Sequence, residues 1–317
     1  HGGDWFQGTA DAVYQNLNLI KLHNPDLVVV FGADHIYRMD IQQMVDFHLE
    51  RAADATVAAL PVPIAEASSF GVIHADHAGR VSDFQEKPAN PPPMPSDPTR
   101  SYASMGNYLF NAKVLVQALK EANERGEHDF GHHVLPKLKD THRVFAYDFA
   151  TNKVPGTKPY EEPAYWRDVG TRDAYFNAHQ DLLGEKPRFD MFNPQWRIFS
   201  SNYQGPVARL LDARIRNSVV AAGSMVHQAT ITNTIIRREV IIEDDVEIED
   251  CLIHEYVHIK RGARLRRAII GGYNVIEAGT RIGYDLEQDR KLYQVTQGGI
   301  TVVGPREVTA TMQAFSE

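Results

Sequence analysis

Twelve aliphatic residues in the last third of the chain recur at intervals of six, six and five residues. The set runs Val219, Met225, Ile231, Ile236, Ile242, Ile248, Ile253, Ile259, Leu265, Ile270, Ile276 and Ile282. A helix would repeat its apolar residues every three or four positions, and a half-buried strand every two. A three-sided coil with one inward aliphatic residue per side fits the combined period of 17 residues, because stacked coils bury a continuous core. The spacing therefore predicts a hexapeptide-type parallel β-helix, with YDLEQDRKLYQVTQGGITVVG after Ile282 as its cap or as an interface.

The chain before this repeat, from Thr9 to Pro187, alternates helix-like and strand-like segments. This alternation is typical of an α/β sheet with helices on its faces. The predicted helices are residues 8–23, 41–53 and 112–124, and the predicted strands are 26–31, 55–62, 70–76, 80–86 and 102–110. In the second helix, Ile41, Met44, Val45 and Leu49 share one apolar face. We expect an α/β domain over residues 1–190, a linker over 191–212 and the β-helix over 213–317.

Charge and composition narrow the possible partners. A formal net charge of -8 and a pI near 6.0, with no Lys/Arg tract, argue against nucleic acid or an anionic membrane as the main partner. No run of about 18 apolar residues and no signal peptide is present in the sequence. The single cysteine, Cys251, fits a reducing cytosol and a role as a small, partly buried side chain. We therefore expect a cytoplasmic protein.

A carboxylate stands at the end of the first predicted strand. In VVVFGADHIYRMD, Val28 to Asp40, the β-branched residues of a strand that we expect to be fully buried lead into a small-residue turn and Asp34. Ligands of open α/β sheets bind outside the carboxyl ends of the strands, so Asp34 is well placed to hold a metal or a sugar. Asp34 could instead only cap the following turn.

Five further motifs accompany Asp34. They are WFQGTADA (5–12), FGV (70–72), FQEKP (84–88), YASMGNYLF (102–110) and YWRDVGT (165–171). In this combination, and over nearly its whole length, the chain resembles the ADP-glucose pyrophosphorylases, the bacterial glucose-1-phosphate adenylyltransferases. The resemblance implies a nucleotidyltransferase domain, a Rossmann-like mixed sheet with helices on both faces and its first strands missing, followed by a left-handed parallel β-helix.

The resemblance also implies a reaction. ATP and glucose 1-phosphate would give ADP-glucose and pyrophosphate, for glycogen synthesis, by attack of the sugar phosphate oxygen on the α-phosphorus. Such a transfer needs alignment and charge neutralisation rather than a protein nucleophile. By resemblance Asp34 and Asp168 hold Mg²⁺, whose preference for hard oxygen ligands they suit. Asp168, next to Arg167, could instead pair with a neighbouring cation.

The same resemblance assigns the sugar phosphate. Lys87, also counted as catalytic, would hold its phosphate, and Glu86 would accept hydrogen bonds from sugar hydroxyls. The other pocket residues implied are Gly71, Ser104, Tyr108 and Trp166. An exposed Glu-Lys pair could equally be solvated, and Trp166 could belong to the core. Gly106 leaves room for a ligand or marks a bulge.

Nucleotide contacts are expected where the first helix begins. Free N–H groups at a helix N-terminus favour phosphate. The resemblance implies adenine and phosphate contacts from Gly8, Thr9 and Ala10, with Trp5 nearby. Phe6 and Gln7 stand where close relatives commonly carry Tyr and Arg.

One diagnostic element of the family, the glycine-rich loop GGxGxRLxxLT, is absent from the 317 residues. The chain begins with His1 rather than Met. From these two features we expect a partial sequence, missing about the first hundred residues of a two-domain enzyme, and a fragment that is catalytically poor or inactive.

Several alternatives stay open or are rejected at this point. The nearest is transfer of another nucleotide, such as guanylyl transfer to mannose 1-phosphate, and another is a non-catalytic regulatory subunit. A zinc site at His128, His132 and His133 is rejected, because Gly131 interrupts the helix and no third ligand is placed. An acyltransferase is disfavoured, because no acidic partner can be assigned to the histidines of the coils, His227, His254 and His258.

The resemblance further implies a homotetramer controlled by small-molecule effectors. Phosphate effectors need local cations in an acidic protein. The candidate cations are Arg281 and Arg306.

Overall fold

A computed structural model describes residues 5–199 and 203–306 of the chain. The chain forms two compact units. The first contains residues up to Ala33 together with Tyr37–Val154, and the second contains Asp34–Ile36 together with residues from Pro155 onward. Among the described residues, no helix has the length and apolar character that crossing a bilayer would require.

The α/β region contains a mixed sheet and a smaller two-stranded sheet. The strands of this region are β1 (Leu27–Val30), β2 (His35–Tyr37), β3 (Ala55–Pro63), β4 (Gly71–Ala75), β5 (Val81–Glu86), β6 (Arg100–Asn111), β7 (Val144–Asp148) and β8 (Trp166–Asp168). The sheet of the first unit has the order β5-β4-β6-β3-β7, with β1 also on β6, and β2 pairs with β8 in a separate two-stranded sheet. The β3–β7 pair is parallel, and the other pairs of the larger sheet are antiparallel. The predicted mixed sheet is thus confirmed.

Helices and short turns connect these strands. They are α1 (Thr9–Tyr14), α2 (Leu17–His23), α3 (Ile41–Glu50), α4 (Ala112–Glu124), α5 (Leu135–Thr141), α6 (Arg172–Gln180), 3₁₀ turns at Ala67–Ser69 and Phe149–Thr151, and a π-helix at Phe130–Val134. The core of the first unit packs α4 and the π-helix against the sheet, through Leu115, Leu119, Phe110 and Phe130. This packing fixes the position of Phe130 and of the segment around it, which forms part of the candidate site.

Three local predictions in this region are wrong. Residues 8–23 are two helices, because the side chain of Asn16 donates to the carbonyl of Ala12 (2.8 Å) where α1 ends. Helix α3 buries Met44 and His48, whereas Leu49 remains 59% exposed. Strand β1 is half-buried at all four residues, since its described ladder partner is β6 alone.

The second unit contains the parallel β-helix and a short tail. Its elements are β9 (Arg209–Leu211), β10 (Arg214–Arg216), β11 (Val219–Val220), β12 (Met225–His227), β13 (Thr230–Thr232), β14 (Ile235–Ile236), β15 (Ile241–Ile242), β16 (Glu247–Ile253), β17 (His258–Ile259), β18 (Arg264–Ile270), β19 (Val275–Ile276), β20 (Arg281–Ile282), α7 (Leu286–Leu292), β21 (Gln294–Val295) and β22 (Thr301–Val303). The coils pair in parallel register. Strand β22 adds a last rung to β18, so the tail after Ile282 extends and covers the solenoid.

Ten of the twelve predicted inward positions, from Ile231 to Ile282, are buried in the core of the β-helix. The first two are shifted by one residue: Val226 and Val220 stack under Ile242 and Ile236, while Met225 faces outward and is 37% exposed. The corner after β12 is one residue shorter than the corner after β15, and the first two coils, from Leu210 to Val226 and from Val226 to Ile242, each span 16 residues, whereas the later coils span 17. A strict period of 17 residues therefore fails over the first two coils.

One outward face of the β-helix is also apolar, because α6 covers it. Phe176 of α6, with Leu182 and Leu183, packs on an outward column of Val219, Ile235, Leu252, Ile269 and Val302. This packing explains why α6 belongs to the same compact unit as the β-helix. The domain ranges 1–190, 191–212 and 213–317 remain predictions.

Candidate active site

Asp34 and Asp168, predicted as a pair although they are far apart in sequence, lie side by side in the second unit. The pairing of β2 with β8 brings them together, and the carbonyl of Asp34 accepts the N–H of Val169 (3.0 Å). A Cβ atom placed on Gly170 would lie 3.0 Å from Oδ1 of Asp168 and 3.6 Å from Oδ2 of Asp34. Both carboxylates therefore border one point, which the glycine leaves open.

The two carboxylates are exposed to solvent, and neighbouring groups compensate their negative charge only weakly. The side chain of Asp34 is 63% exposed, and Nε2 of the His35 imidazole lies 3.7 Å from its Oδ1. Asp168 accepts the N–H of Gly170 (2.8 Å) and forms no ion pair within residues 5–199 and 203–306. Two adjacent carboxylates without a nearby Lys or Arg repel one another, and a cation would relieve that repulsion.

The neighbouring arginine points elsewhere. Successive residues of a strand face opposite sides, so Arg167 is directed away from Asp168. Its guanidinium binds Glu162 (2.6 Å) and Asp181 (3.1 Å), and it lowers the pKa of Glu162 through these contacts. The alternative in which Asp168 pairs with a neighbouring cation is therefore not what the structure shows. Trp166, 7% exposed, packs edge-on against His35 at 4.9 Å between ring centroids.

The Glu86-Lys87 pair lies in the first unit, where β5 ends. Glu86 pairs with Gly71 of β4, and the N–H of Lys87 donates to the carbonyl of Phe70 (3.0 Å). The backbone of Lys87 is left-handed, with φ of 47°, a conformation that costs free energy for a residue with a side chain. Lys87 is exposed and forms no ion pair among the described residues, so its ammonium group is available for an anion.

The carboxylate of Glu86 is held between two glycines. Its Oε2 atom would lie 2.8 Å from a Cβ placed on Gly71 and 3.0 Å from a Cβ placed on Gly131. Oδ1 of Asp129 is 3.4 Å from that same position at Gly131. Glu86 and Asp129 therefore converge, although sequence reasoning missed Asp129. The segment HDFGHHVLP carried no periodic signal that separates Asp129 from a surface residue.

Tyr108 and Ser104 belong to β6 close to these carboxylates. Burial raises the pKa of Tyr108 to about 12, and the charges of Asp129 and Glu86 act in the same direction. Gly106, with φ of 70°, lies where the register between β3 and β6 shifts, and its N–H donates to Oγ of Ser104 (3.3 Å). Gly106 thus marks a bulge, which is one of its two expected roles.

The predicted free amides at the start of α1 are occupied. The N–H groups of Ala10 and Asp11 both donate to the carbonyl of His128 (2.9 and 3.1 Å). A Cβ on Gly8 would collide with that carbonyl, so glycine is needed there for close approach. The expectation of free donors at Gly8, Thr9 and Ala10 is wrong for Ala10. Trp5, by contrast, is 89% exposed and open to stacking.

The histidines of the π-helix serve its backbone. The N–H of His132 donates to Oδ1 of Asp129 (2.9 Å), and Nδ1 of His133 accepts the N–H of Asp129 (3.2 Å). Across the described ranges, no group of three or more His, Cys, Asp or Glu side chains is arranged to hold a metal.

Two predictions about the coils change. His258 does have an acidic partner, because its Nε2 lies 2.7 Å from Oε1 of Glu243, the residue directly after β15 one coil earlier. The expectation that no such partner exists is therefore wrong. Cys251 is fully rather than partly buried, and burial raises the pKa of its thiol to about 12.

The two candidate effector residues occupy different surroundings. The guanidinium of Arg281 lies 4.5 Å from the ring centroid of Tyr284, on the outward side of β20. The backbone N–H of Arg306 donates to the carbonyl of Gly272 (3.1 Å). Both side chains are exposed.

Comparison with known proteins matches two family models to successive parts of the chain. A nucleotidyl transferase family model matches residues 3–185, and a GlmU-like C-terminal hexapeptide model matches residues 208–303. A glucose-1-phosphate adenylyltransferase of Thermodesulfovibrio yellowstonii is 53% identical over 95% of this chain and 74% of its own length. Proteins of the same name from Anaeromyxobacter sp. and Corynebacterium jeikeium are 44% and 42% identical, over 95% and 97% of this chain and 76% of their own lengths. The chain therefore belongs to the nucleotidyl transferase family and, within it, to the family of the glucose-1-phosphate adenylyltransferases.

Proposed function

We propose that the protein transfers the adenylyl group of ATP to glucose 1-phosphate, releasing pyrophosphate and forming ADP-glucose for glycogen synthesis. The observation that carries this proposal is the meeting of Asp34 and Asp168 beside Gly170. The names of the relatives support the choice of nucleotide and sugar.

The carboxylate pair fits a hard divalent cation. Mg²⁺ is usually held by one or two carboxylates, and water and substrate phosphates complete its octahedron. Asp34 and Asp168 offer oxygens of this kind at an exposed position, with no third protein ligand needed. When bound, Mg²⁺ would screen the charge of the phosphates.

In the first unit, each candidate residue has a chemical task. Lys87 would bind the sugar phosphate, because it is an exposed cation that forms no ion pair within residues 5–199 and 203–306. Glu86 and Asp129 would accept hydrogen bonds from sugar hydroxyls. Gly71 keeps the space around Glu86 open, and Ser104 offers a hydroxyl.

Three more residues complete the proposed contacts. Tyr108 stays protonated and can donate, since its pKa lies far above neutral pH. Trp166 would shape the sugar pocket, and Trp5 would stack on the adenine, beside Gly8.

The decisive test uses the product of the complete gene. Asp34→Asn and Asp168→Asn should each lower turnover at least tenfold, whereas Asp46→Asn, an exposed carboxylate on α3, should leave it unchanged. Lys87→Ala should chiefly raise the KM for glucose 1-phosphate, and Lys113→Ala on α4 is its matched control. If both aspartate variants turn over like the parent, the assignment of the cation site is wrong.

Substrate exchange separates the remaining candidates. ATP with glucose 1-phosphate should outperform GTP with mannose 1-phosphate, and the reverse result would establish the guanylyl alternative. No turnover with either pair would favour a regulatory subunit, a reading against which the retention of Asp34, Lys87 and Asp168 argues.

Assembly and control are proposed separately. We propose a homotetramer whose turnover responds to phosphate-bearing effectors through Arg281 and Arg306, in the cytoplasm. Light scattering tests the tetramer. Arg306→Ala should reduce the response to such an effector without changing the basal KM values.

A further inference from the structure

We propose that Thr9 is a positioning residue for the sugar-phosphate site, acting through Asp129 and Phe130, and that it does not contact the nucleotide. This inference rests on the proposed function and changes the role expected for the GTADA segment.

The hydroxyl of Thr9 is used in both directions. Its Oγ1 donates to Oδ2 of Asp129 (2.9 Å) and accepts the N–H of Phe130 (3.1 Å). A hydroxyl has one hydrogen to donate, and here a protein carboxylate receives it. A nucleotide phosphate could accept a hydrogen bond from the Thr9 hydroxyl only by displacing that carboxylate.

The backbone around Thr9 is docked on the same segment. The amides of Ala10 and Asp11 share the carbonyl of His128, and Gly8 lies too close to that carbonyl for any side chain. The carboxylate of Asp11 in turn accepts hydrogen bonds from the N–H of Gln7 and the side chain of Gln15, both at 2.9 Å. The start of α1 is therefore a rigid support rather than an open phosphate cradle.

What Thr9 supports is the wall of the sugar-phosphate site. Asp129 shares the space at Gly131 with the carboxylate of Glu86. Phe130 is fully buried and stacks on Phe110, with 5.7 Å between ring centroids, and it lies 5.3 Å from the ring of Tyr108. Loss of the two Thr9 hydrogen bonds would release Asp129 and the first turn of the π-helix together.

Thr296 in the second unit provides a matched control. Its Oγ1 donates to Oδ1 of Asp173 (2.8 Å) and accepts the N–H of Ile300 (3.1 Å), which repeats the geometry of Thr9. Thr296→Val removes the same pair of hydrogen bonds, and neither Thr296 nor Asp173 is proposed to contact the sugar phosphate.

The experiment compares steady-state kinetics of the complete gene product. Thr9→Val should raise the KM for glucose 1-phosphate about tenfold and leave the KM for ATP within twofold. The reason is that the charge-assisted hydrogen bond from Thr9 to Asp129, beside the sugar-phosphate site, is lost. Thr9→Ser should restore the parental KM. Thr296→Val should lower the melting temperature and leave both KM values unchanged. Asp129→Asn should repeat the selective effect even if Thr9→Val folds poorly.

Two outcomes would overturn the inference. If Thr9→Val increased the KM for ATP alone, Thr9 would contact the nucleotide after all. If the KM for glucose 1-phosphate were unchanged in both Thr9→Val and Asp129→Asn, Thr9 would have no positioning role. A parent protein that forms no ADP-glucose would instead defeat the proposed function. In that case calorimetric titration with glucose 1-phosphate still tests Thr9, and equal affinities for parent and Thr9→Val would reject it.

Discussion

The first two coils of the β-helix offer a direct test of its register, because the aliphatic period of 17 residues and the structure disagree there. The period places Met225 inward, whereas the structure buries Val226 completely and leaves Met225 37% exposed. Val226 stacks on Ile242, and Met225 stacks on Ile241 along the outer surface. Replacing each residue by Ala in turn separates the two registers.

The expected magnitudes follow from burial. Val226→Ala removes two buried methyl groups, about 1.6 kcal/mol in transfer free energy, and the cavity raises the loss to about 2–3 kcal/mol. At about 2–4 °C per kcal/mol for a unit of this size, the melting temperature should fall by about 4–12 °C. Met225→Ala removes more atoms but from a largely wet position, so its loss should stay below about 1 kcal/mol.

Far-UV circular dichroism during heating and in urea measures both variants, and near-UV signals identify which unit unfolds. Ile242→Ala and Ile241→Ala form a second inward and outward pair that calibrates the assay one coil further on. If Met225→Ala cost more than Val226→Ala while Ile242→Ala cost more than Ile241→Ala, the shortened corner after β12 would be refuted.

Three further outcomes are expected. Gly283→Ala should destabilise the protein by about 3 kcal/mol or more in thermal melts, because φ is 83° and a Cβ would collide with the carbonyl of Arg266. Gly262→Ala is the control: its φ is 71° but the space around it is open, so it should cost only about 1 kcal/mol. Equal losses of stability in the two variants would contradict the steric explanation. Burial lowers the pKa of His179, so the unfolded chain binds the proton more readily and stability should fall as the pH drops below about 6.5. Urea midpoints measured from about pH 7.5 to 5.5 should therefore decline less steeply for His179→Gln than for the parent. An unchanged slope in the variant would exclude His179 as a contributor. Cys251 should resist a thiol reagent at pH 8 until the chain unfolds in urea, since its thiol is buried and its pKa is raised to about 12; rapid labelling of the native protein would contradict the burial.

The strand end at Asp34 is readable from the sequence alone, because a β-branched and aromatic run closes there in a Gly-Ala turn. Glu86, Lys87 and Asp168 are instead assigned through the family resemblance, and their roles stay predictions. Their residue types limit the chemistry to cation and phosphate handling. Asp129 lacked any such signal, because its role depends on the space at Gly131 and on a carboxylate more than 40 positions earlier in the chain.

The sequence by itself determined the solenoid, since an aliphatic residue on each face of every coil leaves no other way to bury so many side chains. It also predicted an α/β sheet, because helix-like and strand-like segments alternate along the first part of the chain, while the resemblance implied that this sheet is mixed. Only the tertiary structure decided which partner each polar group takes. The amides of Ala10 and Asp11 meet the carbonyl of His128, His258 meets Glu243, and the corner after β12 is one residue shorter than the corner after β15. Hydrogen bonds and close contacts of this kind join residues distant in sequence, and their energies depend on tenths of an ångström that no periodicity encodes.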